Sequence, residues 1–284
     1  MASLLVHELF PDAVVINDTL DGTFPNHSPN PLKAEAREQL AELVREKHLD
    51  CGIIFDGDAD RAMFVDENGE FVQPDYLIPI IAKATVGSEE VRVKSEELRN
   101  KVIHDVRTSR GAIETLKELG FEPVMVPVGH AFAKPILRKV GALCGGELAG
   151  HYYFSEFFGC DSGVLAAIRV LSAFAGFRSS TSTSTSTFSS MMKPIISRYA
   201  NSGELNFKVE DKDAAIERVL AVAAANLPRE ISRSTMDGIR VEYEEGWINI
   251  RKSNTEPFLR LIVECKTKPM LETWIKLLGK AIES

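Results

Sequence analysis

From Cys51 to about Ala175, short apolar runs alternate with amphipathic stretches, the pattern that builds βα units around a largely parallel sheet. The runs "CGIIF", "KVIHDV", "EPVMVP" and "ALCGGE" predict strands. Between them, "SRGAIETLKELG" places Ile113, Leu116 and Leu119 on one helical face and stops at Gly120, a helix-ending residue. "HAFAKPILRKVG" and "DSGVLAAIRVLSAFAG" repeat that scheme. Upstream of Cys51 stand one helical stretch, "KAEAREQLAELVREKH", and one strand-like run, "AVVIN", which read as the tail of a domain whose opening is absent. The tract "RSSTSTSTSTFSS" (178–190) is polar, low in complexity and without a packing face, so it predicts a linker or surface loop and a boundary. Beyond it, "LNFKV", a helix from about Asp211 to Ala225, the strands "GIRVEY", "GWINIR" and "FLRLIVEC", and a last helix near Met270 to Ile282 form a small α+β domain. The fold class expected is α/β, with mixed-sheet α/β domains and a smaller C-terminal α+β domain.

At 284 residues and 44% apolar, the chain has material for two or three cores. A net charge of -8, from 33 basic and 41 acidic residues, makes the whole surface a poor match for nucleic acid or an anionic membrane. An anionic ligand must therefore be caught locally. Cys51, Cys144, Cys160 and Cys265 are scattered without a CxxC pair, which argues against a disulfide framework or a zinc ribbon and for a reducing cytoplasm. No window approaches the roughly 18 apolar residues a spanning helix needs, and "MASLLVHELFPDAVV" has no basic signal region. A soluble cytoplasmic protein is expected.

Chemistry concentrates first in "FDGDADR" (55–61), where Asp56, Asp58 and Asp60 alternate directly after an apolar run. Carboxylates this close raise one another's pKa unless a positive charge sits among them. Hard oxygen ligands in this spacing suit Mg²⁺ or Ca²⁺. An EF-hand is a rival, since Glu67 stands at its twelfth position, but Arg61 replaces the turn glycine and the flanks are strand-like. A haloacid-dehalogenase nucleophile needs threonine where Asp60 stands, and a plain acidic surface loop is the bland alternative. Arg61 can both offset the carboxylates and fork onto a phosphate. "RKSNTEPFLR" (251–260) gathers Arg251, Ser253, Asn254 and Thr255, with Arg260, into a turn able to wrap phosphate or to be an ordinary Ser/Asn turn. "GGELAGHYYF" (145–154) carries Glu147 and His151, suited to sugar hydroxyls or proton transfer, or to a plain turn. His130 and Lys134 in "VGHAFAK", and Arg107 and Arg110 in "DVRTSRG", occupy positions where α/β proteins place ligands.

Taken in order, these loops resemble those of the α-D-phosphohexomutase family, the phosphomannomutases and phosphoglucomutases. "DGDADR" is similar to its metal loop, "GELAGH" to its sugar loop, "RKSNTEP" to its phosphate loop, and "DGTFPNHSPNPL" (21–32) to the approach to the metal loop. The resemblance runs over nearly the whole chain. It implies residues 1–70 as the later part of the family's second domain, 71–177 as the third, 178–190 as a linker and 191–284 as the C-terminal domain. It further implies transfer of phosphate between O1 and O6 of a hexose through a hexose 1,6-bisphosphate. Under it, Asp56, Asp58 and Asp60 ligate Mg²⁺; Arg61, Arg107 and His130 serve the reaction; and Glu147, His151, Arg251, Ser253, Asn254 and Thr255 bind the substrate.

Two departures from the family pattern shape the expectation. The phosphoserine loop, typically T-A-S-H-N-P, is not found in the sequence, so this polypeptide alone is expected to show little or no mutase turnover. Ala149 stands where the family usually has serine. The alternative of another class is a non-catalytic sugar-phosphate-binding protein.

Overall fold

The structure is a computed structural model that describes residues 2–87, 100–181, 186–253 and 257–284. Its first unit holds helix α1 (Ala2–Leu9), helix α2 (Ala34–Lys47) and a meander of strands β1 (Cys51–Phe55), β2 (Ala62–Asp66) and β3 (Phe71–Val72). The meander is antiparallel, with Cys51 opposite Asp66 and Phe55 opposite Ala62. This corrects the parallel arrangement expected from Cys51 onward, because the short turn at 56–61 is far below the dozen or so residues a parallel crossover requires. "AVVIN" is likewise not a strand. Among the described residues no strand pairs with it, and an unpaired strand leaves its backbone groups unsatisfied.

Side chains of β2 alternate between two cores, as the pleat dictates. Met63 packs with Ala36, Leu40 and Ile54 under α2, while Ala62 and Phe64 join the core of the next unit. That second unit is built on a five-stranded sheet, in spatial order β5 (Glu122–Val126), β4 (Lys101–Asp105), β6 (Cys144–Gly146), β7 (Tyr152–Phe154) and β8 (Cys160–Asp161). The first three strands run parallel and the last two antiparallel, so the sheet is mixed. Helices α3 (Ile78–Val86), α4 (Arg110–Glu118), α6 (Gly163–Ser180) and α7 (Phe188–Ile196) cover one face. Helix α5 (His130–Val140) covers the other with Ala133 and Leu137 against Ile103 and Tyr153. Gly120 sits just past α4 at φ 85°, the left-handed stop expected of it.

The end of the Ser/Thr tract enters this unit's packing. Phe188, fully buried, stacks on Phe64 at 6.0 Å between ring centres, and Met191, Met192 and Ile195 enter the same core. Residues 178–190 thus join two helices of one core, α6 running to Ser180 and α7 beginning at Phe188 behind a Thr187–Ser190 capping box. We place the division between second and third units after Arg198 rather than at the tract.

The third unit is an antiparallel sheet in the order β10 (Leu205–Lys208), β14 (Phe258–Cys265), β13 (Gly246–Lys252), β12 (Ile239–Tyr243) and β11 (Glu230–Ser234), with β9 (Ala200–Asn201) on the end of β14. Helices α8 (Lys212–Asn226) and α9 (Lys268–Glu283) bury Ile248, Ile250, Leu261 and Val263. The alternate positions, Trp247, Asn249 and Arg251 on β13 with Arg260, Ile262 and Glu264 on β14, belong to the opposite face. Part of that face meets the second unit. Trp247 and Ile262 pack on Leu148, and Arg240 donates to the Val106 and Thr108 carbonyls at 2.7 and 2.9 Å. No described helix is long and apolar enough to cross a membrane.

Candidate functional site

The turn between β1 and β2 places ligand oxygens of Asp56, Asp58 and Asp60 within 4.8 Å of one another. Ala59, at φ 62°, makes the tight reversal, and its carbonyl accepts from Gly163 N–H at the start of α6. A Cβ on Gly163 would lie 2.5 Å from the Arg61 carbonyl oxygen, so only glycine admits the helix this close to the loop. Arg61 folds back to donate through Nε to Asp56 at 2.6 Å and through Nη1 to Asn30 at 3.2 Å. Burial and the carboxylates of Asp56, Asp58 and Asp161 push the Asp60 carboxyl above its ordinary range, despite an opposing pull from His151. Three carboxylates this close, with Asp60 held above its ordinary range, are a setting a hard divalent cation relieves, so the residues present fit Mg²⁺. Strands on both sides of the turn exclude an EF-hand, and Glu67 is turned away to accept from Ser189 N–H at 3.0 Å.

The sugar-type loop abuts this turn through a bridge between Arg61 and His151 and a 3.2 Å hydrogen bond from Ala62 N–H to the Gly150 carbonyl. Its Glu147 is buried and accepts from the Gly129 N–H at 3.1 Å and the Tyr153 hydroxyl at 2.9 Å. His151 lies between carboxylates, Nδ1 3.4 Å from Glu147 and Nε2 3.5 Å from Asp60. Both contacts are ion-pair rather than tight hydrogen-bond distances. Burial works against protonating His151, but Glu147, Asp60 and Asp161 outweigh it and hold the imidazole above its usual range. His130, at the start of α5, stands edge-on to His151 with ring centres 5.6 Å apart. Lys134 pairs with Asp161 at 2.7 Å.

At the far end, Arg107 is clamped by buried Asp105 through Nη2 at 2.6 Å and Nε at 3.1 Å. Burial of Arg107 would lower its pKa, yet Asp105, Glu204 and Glu147 raise it well above the ordinary value. Asp105 also accepts from Leu148 N–H at 3.1 Å, which ties Arg107 to the sugar-type loop. The remaining Arg107 nitrogen reaches Glu204 at 3.5 Å, and Glu204 contacts Arg251 at 3.0 Å and Arg260 at 3.1 Å. Ser253 continues from β13 and is buried. Asn254 and Thr255 lie outside the described residues.

The structure therefore brings together Asp56, Asp58, Asp60, Arg61, His130, Glu147 and His151, and continues through Asp105 to Arg107 and Arg251. Arg110 is excluded from that line. Its Nη2 donates to Glu242 at 2.5 Å and to the carbonyls of Tyr243 and Gly246 at 2.8 and 3.0 Å, making it a tie between units. Sequence reasoning missed Glu204 and Asp105. Nothing local marks Glu204, whose three partners lie 97, 47 and 56 positions away, whereas the strand-end "HDVR" carries Asp105 two before Arg107. Burial pushes the thiols of Cys51, Cys144 and Cys265 up to about 12.

An antiparallel meander with two helices, a mixed-sheet α/β unit and an antiparallel α+β unit, joined by one polar line with a carboxylate loop at one end and arginines at the other, define a multi-unit protein of the mixed α/β class. Matching against protein families agrees over nearly the whole length. Residues 3–69 match phosphoglucomutase/phosphomannomutase alpha/beta/alpha domain II, 73–199 match domain III, and 204–276 match the C-terminal domain. The chain is 38% identical over 259 residues to a phosphomannomutase of Vibrio cholerae, covering 90% of this chain and 51% of that protein. It is 35% identical over 260 residues to a phosphomannomutase of Methanocaldococcus jannaschii, covering 92% and 53%. A crystal structure of a phosphoglucomutase/phosphomannomutase family protein from Burkholderia thailandensis superposes with TM-score 0.80 at 27% identity, covering 99% of this chain and 58% of that one. The chain belongs to the α-D-phosphohexomutase family, and spans about half the length of the curated relatives it matches.

Proposed function

We propose that this chain carries the metal loop, sugar contacts and distal phosphate site of a phosphomannomutase/phosphoglucomutase that interconverts hexose 1-phosphates and hexose 6-phosphates through a 1,6-bisphosphate. The observation that carries this reading is the unbroken polar line from Asp56 through Arg61, His151, Glu147 and Asp105 to Arg107 and Arg251. It gives one ligand a metal end, hydroxyl acceptors in the middle and guanidinium groups at the other end. Phosphoryl transfer needs positioning and charge neutralisation above all. Asp56, Asp58 and Asp60 would hold Mg²⁺, which when bound neutralises charge on the transferring phosphate. Arg61 faces that phosphate, Glu147 accepts from ring hydroxyls, and His151 holds a proton at Nε2 beside Asp60. Arg251, Ser253, Asn254 and Thr255 take the non-reacting phosphate. Because the sequence contains no T-A-S-H-N-P loop, the polypeptide by itself has no resident phosphate to donate and turns over slowly or not at all.

Calorimetric titration tests the binding half. Mannose 6-phosphate or glucose 6-phosphate with Mg²⁺ gives saturable heat, Arg251→Ala removes it, and Asp58→Asn removes its Mg²⁺ dependence. Conversion of mannose 1-phosphate, assayed with mannose 1,6-bisphosphate and Mg²⁺, tests the other half. Rapid turnover by this chain would overturn the serine argument, and absence of ligand heat would overturn the site.

A further inference from the structure

A second group of donors stands on the His151 side of the carboxylate turn. Asp60, His130, His151 and Asp161 each offer one ligand atom, and these atoms lie within 4.8 Å of one another. Asp60 also belongs to the trio with Asp56 and Asp58, but the other three do not. Separate elements bring them together: His130 opens α5, His151 precedes β7, and Asp161 ends β8 directly opposite Tyr153. The Asp161 side chain is only 6% exposed. Lys134 takes its Oδ1 at 2.7 Å, while its Oδ2 is buried without a hydrogen-bond partner. Nδ1 of His151 is likewise buried without one, 3.4 Å from Glu147 Oε2. Buried polar atoms left unpaired are costly, and a ligand that both could serve accounts for them.

Donor type separates this group from the aspartate trio. Three carboxylates form a hard oxygen set, which suits Mg²⁺. Two imidazoles with two carboxylates suit a borderline transition ion instead, above all Zn²⁺ in a four-ligand tetrahedron. Bonds of about 2.0–2.2 Å to nitrogen and oxygen set tetrahedral donors roughly 3.3–3.6 Å apart. His151 Nε2 and Asp60 Oδ2 already stand at 3.5 Å. The other donors close by side-chain rotation, and exposed His130 leaves the ion a way in. Glu147 supplies the outer support. A ligating histidine turns its second ring nitrogen to a carboxylate that fixes its tautomer and orientation, and Glu147 Oε2 faces His151 Nδ1. Lys134 neutralises the Oδ1 side of Asp161 and leaves the other oxygen for the ion.

We propose that Asp60, His130, His151 and Asp161 form a zinc site beside the Mg²⁺ loop, with Asp60 shared between the two ions. The site stands on its own donors and holds whether or not the chain handles a phosphosugar. One consequence does rest on the function proposed above. Zn²⁺ takes the place of the proton on His151 Nε2 and withdraws that imidazole from the sugar, so bound zinc weakens hexose phosphate binding and added Mg²⁺ does not restore it.

The test is calorimetric titration of the chain with zinc chloride in excess Mg²⁺, which keeps the aspartate trio filled. About one equivalent of Zn²⁺ binds, and His130→Gln and Asp161→Asn each weaken that binding by about tenfold or more. Asp58→Asn, which alters the trio alone, leaves it unchanged. Should Asp161→Asn not fold, His130→Gln at its exposed position carries the comparison. Absence of zinc heat, zinc binding that survives the ligand substitutions, or binding that falls as far in Asp58→Asn as in His130→Gln overturns the site. Glucose 6-phosphate titrated with and without Zn²⁺ separates this inference from the function it touches. Binding that weakens with Zn²⁺ in the wild type but not in His130→Gln supports the zinc effect, and binding indifferent to bound Zn²⁺ overturns it. No glucose 6-phosphate binding even without Zn²⁺ removes the proposed function and leaves the zinc site standing.

Discussion

His104 shows how a single buried group in the second unit sets a response to acid. It is 2% exposed, and its Nδ1 donates to the Asp105 carbonyl at 3.1 Å. Burial, chiefly, holds its imidazole down to about 4. In the unfolded chain the same group takes a proton near ~6.5. The unfolded state therefore binds more protons between these values, so His104's contribution is complete above pH ~6.5 and is lost as pH falls through about 4. The expected outcome is that urea-unfolding free energy drops from pH 7 to pH 5 more steeply in the wild type than in His104→Gln. Equal drops would show that other groups govern the acid limb. The histidine's neighbour Asp105 was legible as a polar strand end but not as an anchor, because its partners Arg107 and Leu148 meet only when β4 and β6 lie side by side.

Among elements, the carboxylate turn at 56–61 and helix α6 depend on each other through Gly163. An alanine there sets a Cβ 2.5 Å from the Arg61 carbonyl and 2.9 Å from that of Ala59, so helix or turn must move. Overpacking of this kind costs typically about 1–3 kcal/mol. Gly163→Ala is expected to lower the denaturation midpoint accordingly and to weaken Mg²⁺ binding measured by calorimetry. Lost stability with unchanged Mg²⁺ affinity would show that the turn does not feel the helix. Most elements were legible from periodicity, since amphipathic spacing marks α2, α4 and α5, and apolar runs mark β1, β4 and β14. Direction was harder to read. The run "CGIIF" looks alike in a parallel or an antiparallel strand, and only the short connection at 56–61 decides. The Ser/Thr tract was hard to read for a related reason, because its low complexity hides Phe188 near its end, which stacks on Phe64 far upstream.

For the whole molecule, the meeting of second and third units is polar and centred on a few groups. Arg110 spans it with hydrogen bonds to Glu242 and to the carbonyls of Tyr243, Glu244 and Gly246. Glu264 accepts from Arg110 N–H at 2.8 Å and from Trp247 Nε1 at 2.7 Å. Interfaces of this character allow relative motion of the parts they join. Arg110→Ala is expected to split one calorimetric unfolding transition into two, with the third unit melting separately. A single transition would mean that the apolar contact of Leu148 with Trp247 and Ile262 suffices. None of this interface was legible in the sequence, where Arg110 reads like any arginine after a strand.

Asp105 grips the Arg107 guanidinium with one oxygen and, through the same oxygen, the Leu148 backbone beside Glu147. The guanidinium and the hydroxyl-accepting carboxylate are in consequence mounted on a shared post, and their separation works as a fixed gauge. Under the proposed function a phosphosugar is accepted or refused by its span, so shortening the carbon skeleton by one unit should be felt at both grips at once.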